Sequence, residues 1–141
     1  MVATVLIAVT ATPFDLSTTF VHLGHGGRAI PLEDFDWAPA AMTRYRQRFA
    51  EDGPDGRLVC VLPQEASWTS WERHPAGEEL VVLLSGRVDL IQDVDGTEHV
   101  VPLRPGQAVI NPPGIWHTAT VHEAGSALFI TPGEGTEARP R

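Results

Sequence analysis

From Arg57 onward the chain alternates apolar and polar residues in short runs cut by proline and glycine. Leu58 to Leu62, Ser67 to His74, Glu79 to Ser85, Arg87 to Gln92, Thr97 to Leu103, Gln107 to Asn111, Ile115 to Val121 and Ser126 to Thr131 each read as a strand. The breaks between them are turn formers: Pro75-Ala76-Gly77, Ser85-Gly86, Asp93 to Gly96, Arg104-Pro105-Gly106 and Pro112-Pro113-Gly114. Strands this short at this spacing predict an all-β sandwich or barrel.

The pattern upstream differs. Ser17 to Leu23 is β-branched and aromatic and predicts a strand, with a turn at Gly24 to Gly27. Ala38 to Ala50 is the helical stretch: Pro39 sits near its start, and Met42, Tyr45 and Phe49 recur at three- and four-residue spacing. Asp52 to Gly56 stops it. Met1 to Ala11 is apolar, but it lacks a positively charged leader and is too short to span a bilayer. It reads as an opening strand or ordered arm. Residues 132–141 are rich in Gly, Pro and charge and are expected to be loose. The expected layout is therefore residues 1–56 as an arm, a strand and a short helix packing on a barrel, 57–131 as the barrel, and 132–141 as a loose tail.

Composition narrows the function. With 141 residues the chain is long enough for one real core. A net charge of -8, with no basic patch, argues against a nucleic-acid or anionic-membrane partner. All ten basic residues are arginine, which excludes Schiff-base chemistry and a lysine base. The one cysteine, Cys60, lies in an apolar run and reads as a core residue. It permits no internal disulfide, which suits a reducing compartment, and a cytoplasmic location is expected.

One run breaks the apolar pattern. Trp71 to Gly86 holds Glu72, His74 and Glu79 within eight residues. Strand side chains alternate faces, so Glu72 and His74 point the same way, and Glu79 returns near His74 across a four-residue turn. Val81 and Leu83 share the face of Glu79, while Leu80, Val82 and Leu84 cover the other, so this strand is expected to be buried on both sides. A carboxylate in so apolar a setting is costly unless it is paired or bound to a cation. Downstream, His117 follows the sharp turn at Pro112-Pro113-Gly114. Two His and one or two carboxylates suit Fe(II), Mn(II), Ni(II) or Zn(II), with no thiolate to favour softer ions.

These two stretches resemble the two motifs of the cupin superfamily. The first motif runs His-x-His, three or four residues, Glu, six residues, Gly; Glu72-x-His74, Glu79 and Gly86 match it, with Glu72 in place of the first His. The second runs Gly, five residues, Pro-x-Gly, two residues, His, three residues, Asn; Gly106, Pro112, Gly114 and His117 match it, with Val121 in place of the Asn. The resemblance, to the small single-domain members, implies a double-stranded β-helix or jelly-roll barrel. It carries His74, Glu79 and His117 over as ligands of a divalent metal ion. Glu72 carries over by position only, as a ligand, a catalytic base or a neighbouring group. It further implies a metal-dependent enzyme on a small oxygen-rich molecule, of oxygenase or isomerase type, or else a ligand-binding or sensory cupin without turnover.

The remaining polar and aromatic residues have plainer expectations. Glu78 reads as a solvated charge, and Arg73 as a surface pair. His22, His25, His99 and His122 read as surface or satisfied histidines, with His22 the one that could cover a pocket mouth. Trp37, Trp68, Trp71 and Trp116 read as core or subunit interface; the alternative for Trp68, on the face of Glu72 by parity, is to line a pocket with Cys60 and Gln64. The apolar outer residues Leu80, Val82 and Leu84 need a cover, which predicts a homodimer.

Overall fold

The computed structural model of the protein describes residues 12–141, so the expected opening strand at Met1 to Ala11 lies outside the described residues. Along them run β1 (Phe20–Gly24), β2 (Arg28–Leu32), α1 (Pro39–Arg48), β3 (Arg57–Gln64), β4 (Ser70–Arg73), β5 (Glu79–Val94), β6 (Thr97–Leu103), β7 (Ala108–Asn111), β8 (Trp116–Thr131) and β9 (Glu137–Pro140). The fold is all-β with one short α-helix, as the alternation predicts. The strands form one antiparallel sheet that curls on itself.

β8 is the hub. Its second half pairs β3 from Leu58↔Thr131 to Gln64↔Gly125, and β1 and β2 extend that edge. Its first half meets β4 at Glu72↔His117, and β9 lies on the outer side of β4. β5 pairs β8 along nearly its whole length and takes β7 on its first half and β6 on its second. The two 16-residue strands thus belong to both walls of the barrel.

Both long strands were expected to be broken, and neither is. Ser85-Gly86 reads as a turn in the sequence, but the chain runs on through a bulge, with register shifts between Leu83 and Val88. Gly86 has φ 87, a conformation that L-residues avoid. Opposite it, β8 continues through His122 to Gly125, where two separate strands were expected. A positive-φ glycine serves a turn or a bulge equally well, and strands that pass from one sheet wall to the other bend at bulges. Alternation alone does not separate these cases.

The inward face of the curl holds the core. Val81, Leu83, Val88, Leu90, Ala119, Ala127 and Phe129 pack there with Cys60, Leu58 and Leu103. Burying a leucine such as Leu83 or Leu90, each 1% exposed, contributes roughly 2 kcal/mol. The outward face of β5 is different: Leu80 and Val82 are half-buried and Leu84 is 45% exposed. The expectation that β5 is buried on both sides is therefore corrected among the described residues; only its inner face is sealed.

The helix starts at Pro39, whose missing N–H costs nothing in the first turn. It runs to Arg48, and Ala50–Asp55 continues as tight 3₁₀ turns. Tyr45 and Phe49, one turn apart, seat it against β1, where Phe49 stacks on the His22 ring at 3.7 Å between centroids. The tail expected to be loose carries β9, paired with β4 from Ser70↔Pro140 to Arg73↔Glu137. Its side chains explain why. Arg139 lies over the rings of Trp71 and Trp116, 5.6 and 4.4 Å from their centroids. Glu137 accepts from Arg73 at 2.8 Å, and Arg141 donates to the Ala119 carbonyl and the Thr120 hydroxyl.

Candidate metal centre

Four residues meet where β4, the start of β5 and the start of β8 converge. Glu72 lies on β4 directly across from His117 on β8, and His74 follows β4 by one residue. Glu79 is the first residue of β5. Ligand atoms of Glu72, His74 and His117 all lie within 4.8 Å of one another. The two oxygens of Glu79 reach into the same place, 3.1 Å from Nε2 of His74 and 3.2 Å from Nε2 of His117. His74, Glu79 and His117 are buried, and Glu72 is half-buried. The structure brings Glu72, His74 and His117 together as one group, and Glu79 joins it through the two imidazoles.

The polar surroundings fix Glu79. Its carboxylate accepts from Asn111 Nδ2 at 3.0 Å on one oxygen and from the Thr131 hydroxyl at 2.6 Å on the other. Asn111 is held in turn by Gln92, whose amide donates to its side-chain oxygen at 2.8 Å. Burial alone would raise the Glu79 carboxyl; positive charge on the facing His117 and His74 rings, donating through N–H, would hold it well below the ordinary 4.5, so this carboxylate is stabilised only with a cation beside it. Glu79 is ionised at neutral pH. Its charge is felt at Cys60, whose thiol is pushed up to about 12 by burial and then by Glu79, which suits a core cysteine and not a nucleophile.

Whether these residues suit a metal can be judged from the imidazoles. Nδ1 of His117 lies 3.1 Å from the Ile115 carbonyl oxygen, which can only accept, so Nδ1 carries the proton. In the neutral ring Nε2 then offers a lone pair. Nε2 of His117 and Nε2 of His74 are both buried without a hydrogen-bond partner among the described residues. They approach the Glu79 carboxylate in distance but without the alignment of a hydrogen bond. Lone pairs facing an ionised carboxylate repel unless something positive stands among them. Two carboxylates and two neutral imidazoles carry two negative charges, which one divalent cation balances. The donor set fits a divalent ion of the nitrogen- and oxygen-loving kind.

Several partners of the site escape a reading of the sequence. Asn111 was within reach: on its short strand it shares the inward face with Val109, and a polar residue there asks for a partner. Thr131 likewise follows Ala127 and Phe129 by parity. Thr136, whose hydroxyl lies 2.8 Å from Nδ1 of His74, carries no signal, because its segment shows no strand pattern.

The other singled-out residues lie elsewhere. Trp68 packs edge-on to His117 and donates to Gln64 at 2.9 Å, and both line an interior cavity of about 10 Å3. Cys60 belongs to the packed core. Glu78 is exposed, and Trp37 is half-exposed against Phe20 and Phe35. His22 is buried and satisfied: it bridges Asp52, at 2.7 Å from Nε2, and the Tyr45 hydroxyl, at 2.7 Å from Nδ1. This network ties β1 to the helix. His25 and His122 meet Asp55 and Asp89, and His99 is exposed.

Comparison with known proteins bears on the fold. Residues 57–132 match the family model described as cupin domain. No curated protein matches the chain. Among solved structures, a Klebsiella pneumoniae protein with a double-stranded β-helix domain superposes with TM-score 0.50 at 22% identity, over 60% of this chain and 76% of that one. Peruvianin-I, a cysteine peptidase from Thevetia peruviana latex, gives 0.49 at 24% identity over 60% of this chain and 55% of its own. A cupin-2 domain protein from Shewanella frigidimarina gives 0.44 at 16% identity over 60% and 71%. These likenesses are of fold. This chain spans little more than half of peruvianin-I.

Proposed function

The chain belongs to the cupin family, and on that premise we propose that it holds one divalent metal ion through Glu72, His74 and His117, with Glu79 against both imidazoles as the fourth ligand, and acts as a metal-dependent enzyme on a small oxygen-rich molecule, of oxygenase or isomerase type. The observation that carries this reading is the pair of buried, partnerless Nε2 atoms set against the Glu79 carboxylate. The mixed donor set favours Fe, Mn, Ni or Zn. Such an ion, when bound, supplies Lewis-acid or redox chemistry toward a substrate oxygen.

The chain's own residues would do the rest. Glu79 is clamped by Asn111 and Thr131, so its role is to hold charge at a fixed place. Glu72 is the most exposed of the four, which places its carboxylate to move a proton on a molecule arriving from outside. The packed interior excludes bulk water from the far side of the imidazoles.

The alternative reading is a ligand-binding or sensory cupin in which the same four residues hold an ion without turnover. In either case we propose a homodimer, with the outward residues Leu80, Val82, Leu84 and Ile110 as the shared face. The buried lone thiol suits a cytoplasmic setting. No helix among the described residues is long and apolar enough to cross a membrane.

Metal analysis of protein purified without chelator or His-tag tests the first claim. One ion per chain, lost in Glu79→Ala and His117→Ala, is the expected result. Protein that retains no metal, and gains no thermal stability from Fe(II), Mn(II), Ni(II) or Zn(II), would sink it. Oxygen uptake after anaerobic iron loading would favour the oxygenase, whereas stabilisation by small acids without product would favour the sensory reading.

A further inference from the structure

The segment after residue 132 lies beyond the family match, yet Ala138 pairs with Glu72 along the backbone and the Thr136 hydroxyl meets the His74 ring. The Thr136 hydroxyl has a single proton and two acceptor sites. Its oxygen lies 2.9 Å from the Gly133 carbonyl, which can only accept, so the hydroxyl proton goes there. What Thr136 then presents to His74, 2.8 Å away, is a lone pair. Nδ1 of His74 must carry a proton to meet it, and Nε2 is left as the lone-pair nitrogen. This is the same tautomer that the Ile115 carbonyl sets on His117.

We propose that Thr136 is a positioning residue that fixes the tautomer and ring orientation of His74, so that the turn leading into β9 completes the centre from outside the barrel motifs. The inference rests on the metal reading above only for its consequence, not for the tautomer itself. β9 is held for the task. Arg73 pairs with Glu137, the next residue, and Arg139 is gripped between Trp71 and Trp116 while its guanidinium meets Asp93 at 3.1 Å. Those anchors lie on β4, β5 and β8, three of the strands that surround the centre. A tail docked this firmly holds the Thr136 oxygen at a fixed place. Such outer partners of ligating imidazoles commonly set metal affinity by about 10–100-fold.

Long-range proton–nitrogen correlation spectra of the metal-free protein read the tautomer directly. The expected result is His74 with its proton on Nδ1 in the wild type, lost or mixed in Thr136→Val, and restored in Thr136→Ser. In parallel, competition titration with Zn(II) should show affinity falling about 10–100-fold in Thr136→Val and recovering in Thr136→Ser. A wild type with the His74 proton on Nε2 overturns the proposal. So does a Thr136→Val protein whose tautomer is unchanged. If the tautomers behave as expected but the wild type binds no Zn(II), the positioning role stands and only the metal reading falls.

Discussion

Gly125 on β8 lies against the Ser85 carbonyl on β5 so closely that a Cβ on Gly125 would overlap that oxygen. The contact sits at the bulge where both long strands bend, and Gly86, with φ 87, lies beside it. Gly125→Ala therefore has no space, since the obstacle is backbone. We expect a loss of about 3 kcal/mol or more in denaturant unfolding, at the upper end of overpacking effects. Gly96 separates the causes, because it has φ 81 but open space around its Cβ position. Gly96→Ala should cost about 1–2 kcal/mol from backbone strain alone. Equal costs at the two sites would refute the close approach as the reason for Gly125.

Glu72 can be sorted from its three neighbours by affinity. His117→Ala should abolish measurable Zn(II) binding. Glu72→Ala should weaken it by about 10–100-fold, and Glu72→His should restore most of the loss. Isothermal titration decides it. Unchanged affinity in Glu72→Ala, together with lost turnover, would reassign Glu72 from ligand to base.

Acid should weaken the junction between helix and barrel. The Asp52 carboxyl is held below its ordinary 3.8 by the hydrogen bond from His22 and then by the His25 amide, against an opposing effect of burial. A depressed folded value adds stability that is fully present above 3.8 and drains away as pH falls from there toward the folded value. Thermal midpoints should drop through that window. Asp52→Asn should be less stable at neutral pH and show a flatter acid slope. An identical slope in the variant would remove Asp52 from the account.

The outward apolar face makes an assembly prediction. Leu84 and Ile110 are 45% and 53% exposed, and Leu80, opposite Ile110, is half-buried beside them. Light scattering at micromolar concentration should give twice the chain mass, and Leu84→Arg or Ile110→Arg should return a monomer with unchanged unfolding. A wild-type monomer would defeat it.

Much of the centre was legible before any coordinates. Glu72 and His74 share a face by parity, and Glu79 interrupts an apolar run where an unpaired charge is too costly to keep. His117 comes from a stretch tied to the first by the cupin resemblance. The strand breaks were misplaced at Ser85-Gly86 and after Val121, because a glycine that permits a positive φ does not say whether the chain reverses or only bulges. The seal on the outer face of β5 was misjudged for a related reason: alternation assigns faces, not what covers them.

By itself the sequence determined the all-β class, the apolar face of each strand and the grouping of Glu72, His74 and Glu79, since period-two alternation and the cost of a buried charge are local properties; His117 was joined to them only through the family resemblance. The tertiary structure alone decided that residues 137–140 form a strand, that Thr136 meets His74, and that Asn111 and Thr131 clamp Glu79. Those contacts join residues 32 to 70 positions apart, and what brings them together is the curl of the sheet around β8, which no local pattern encodes.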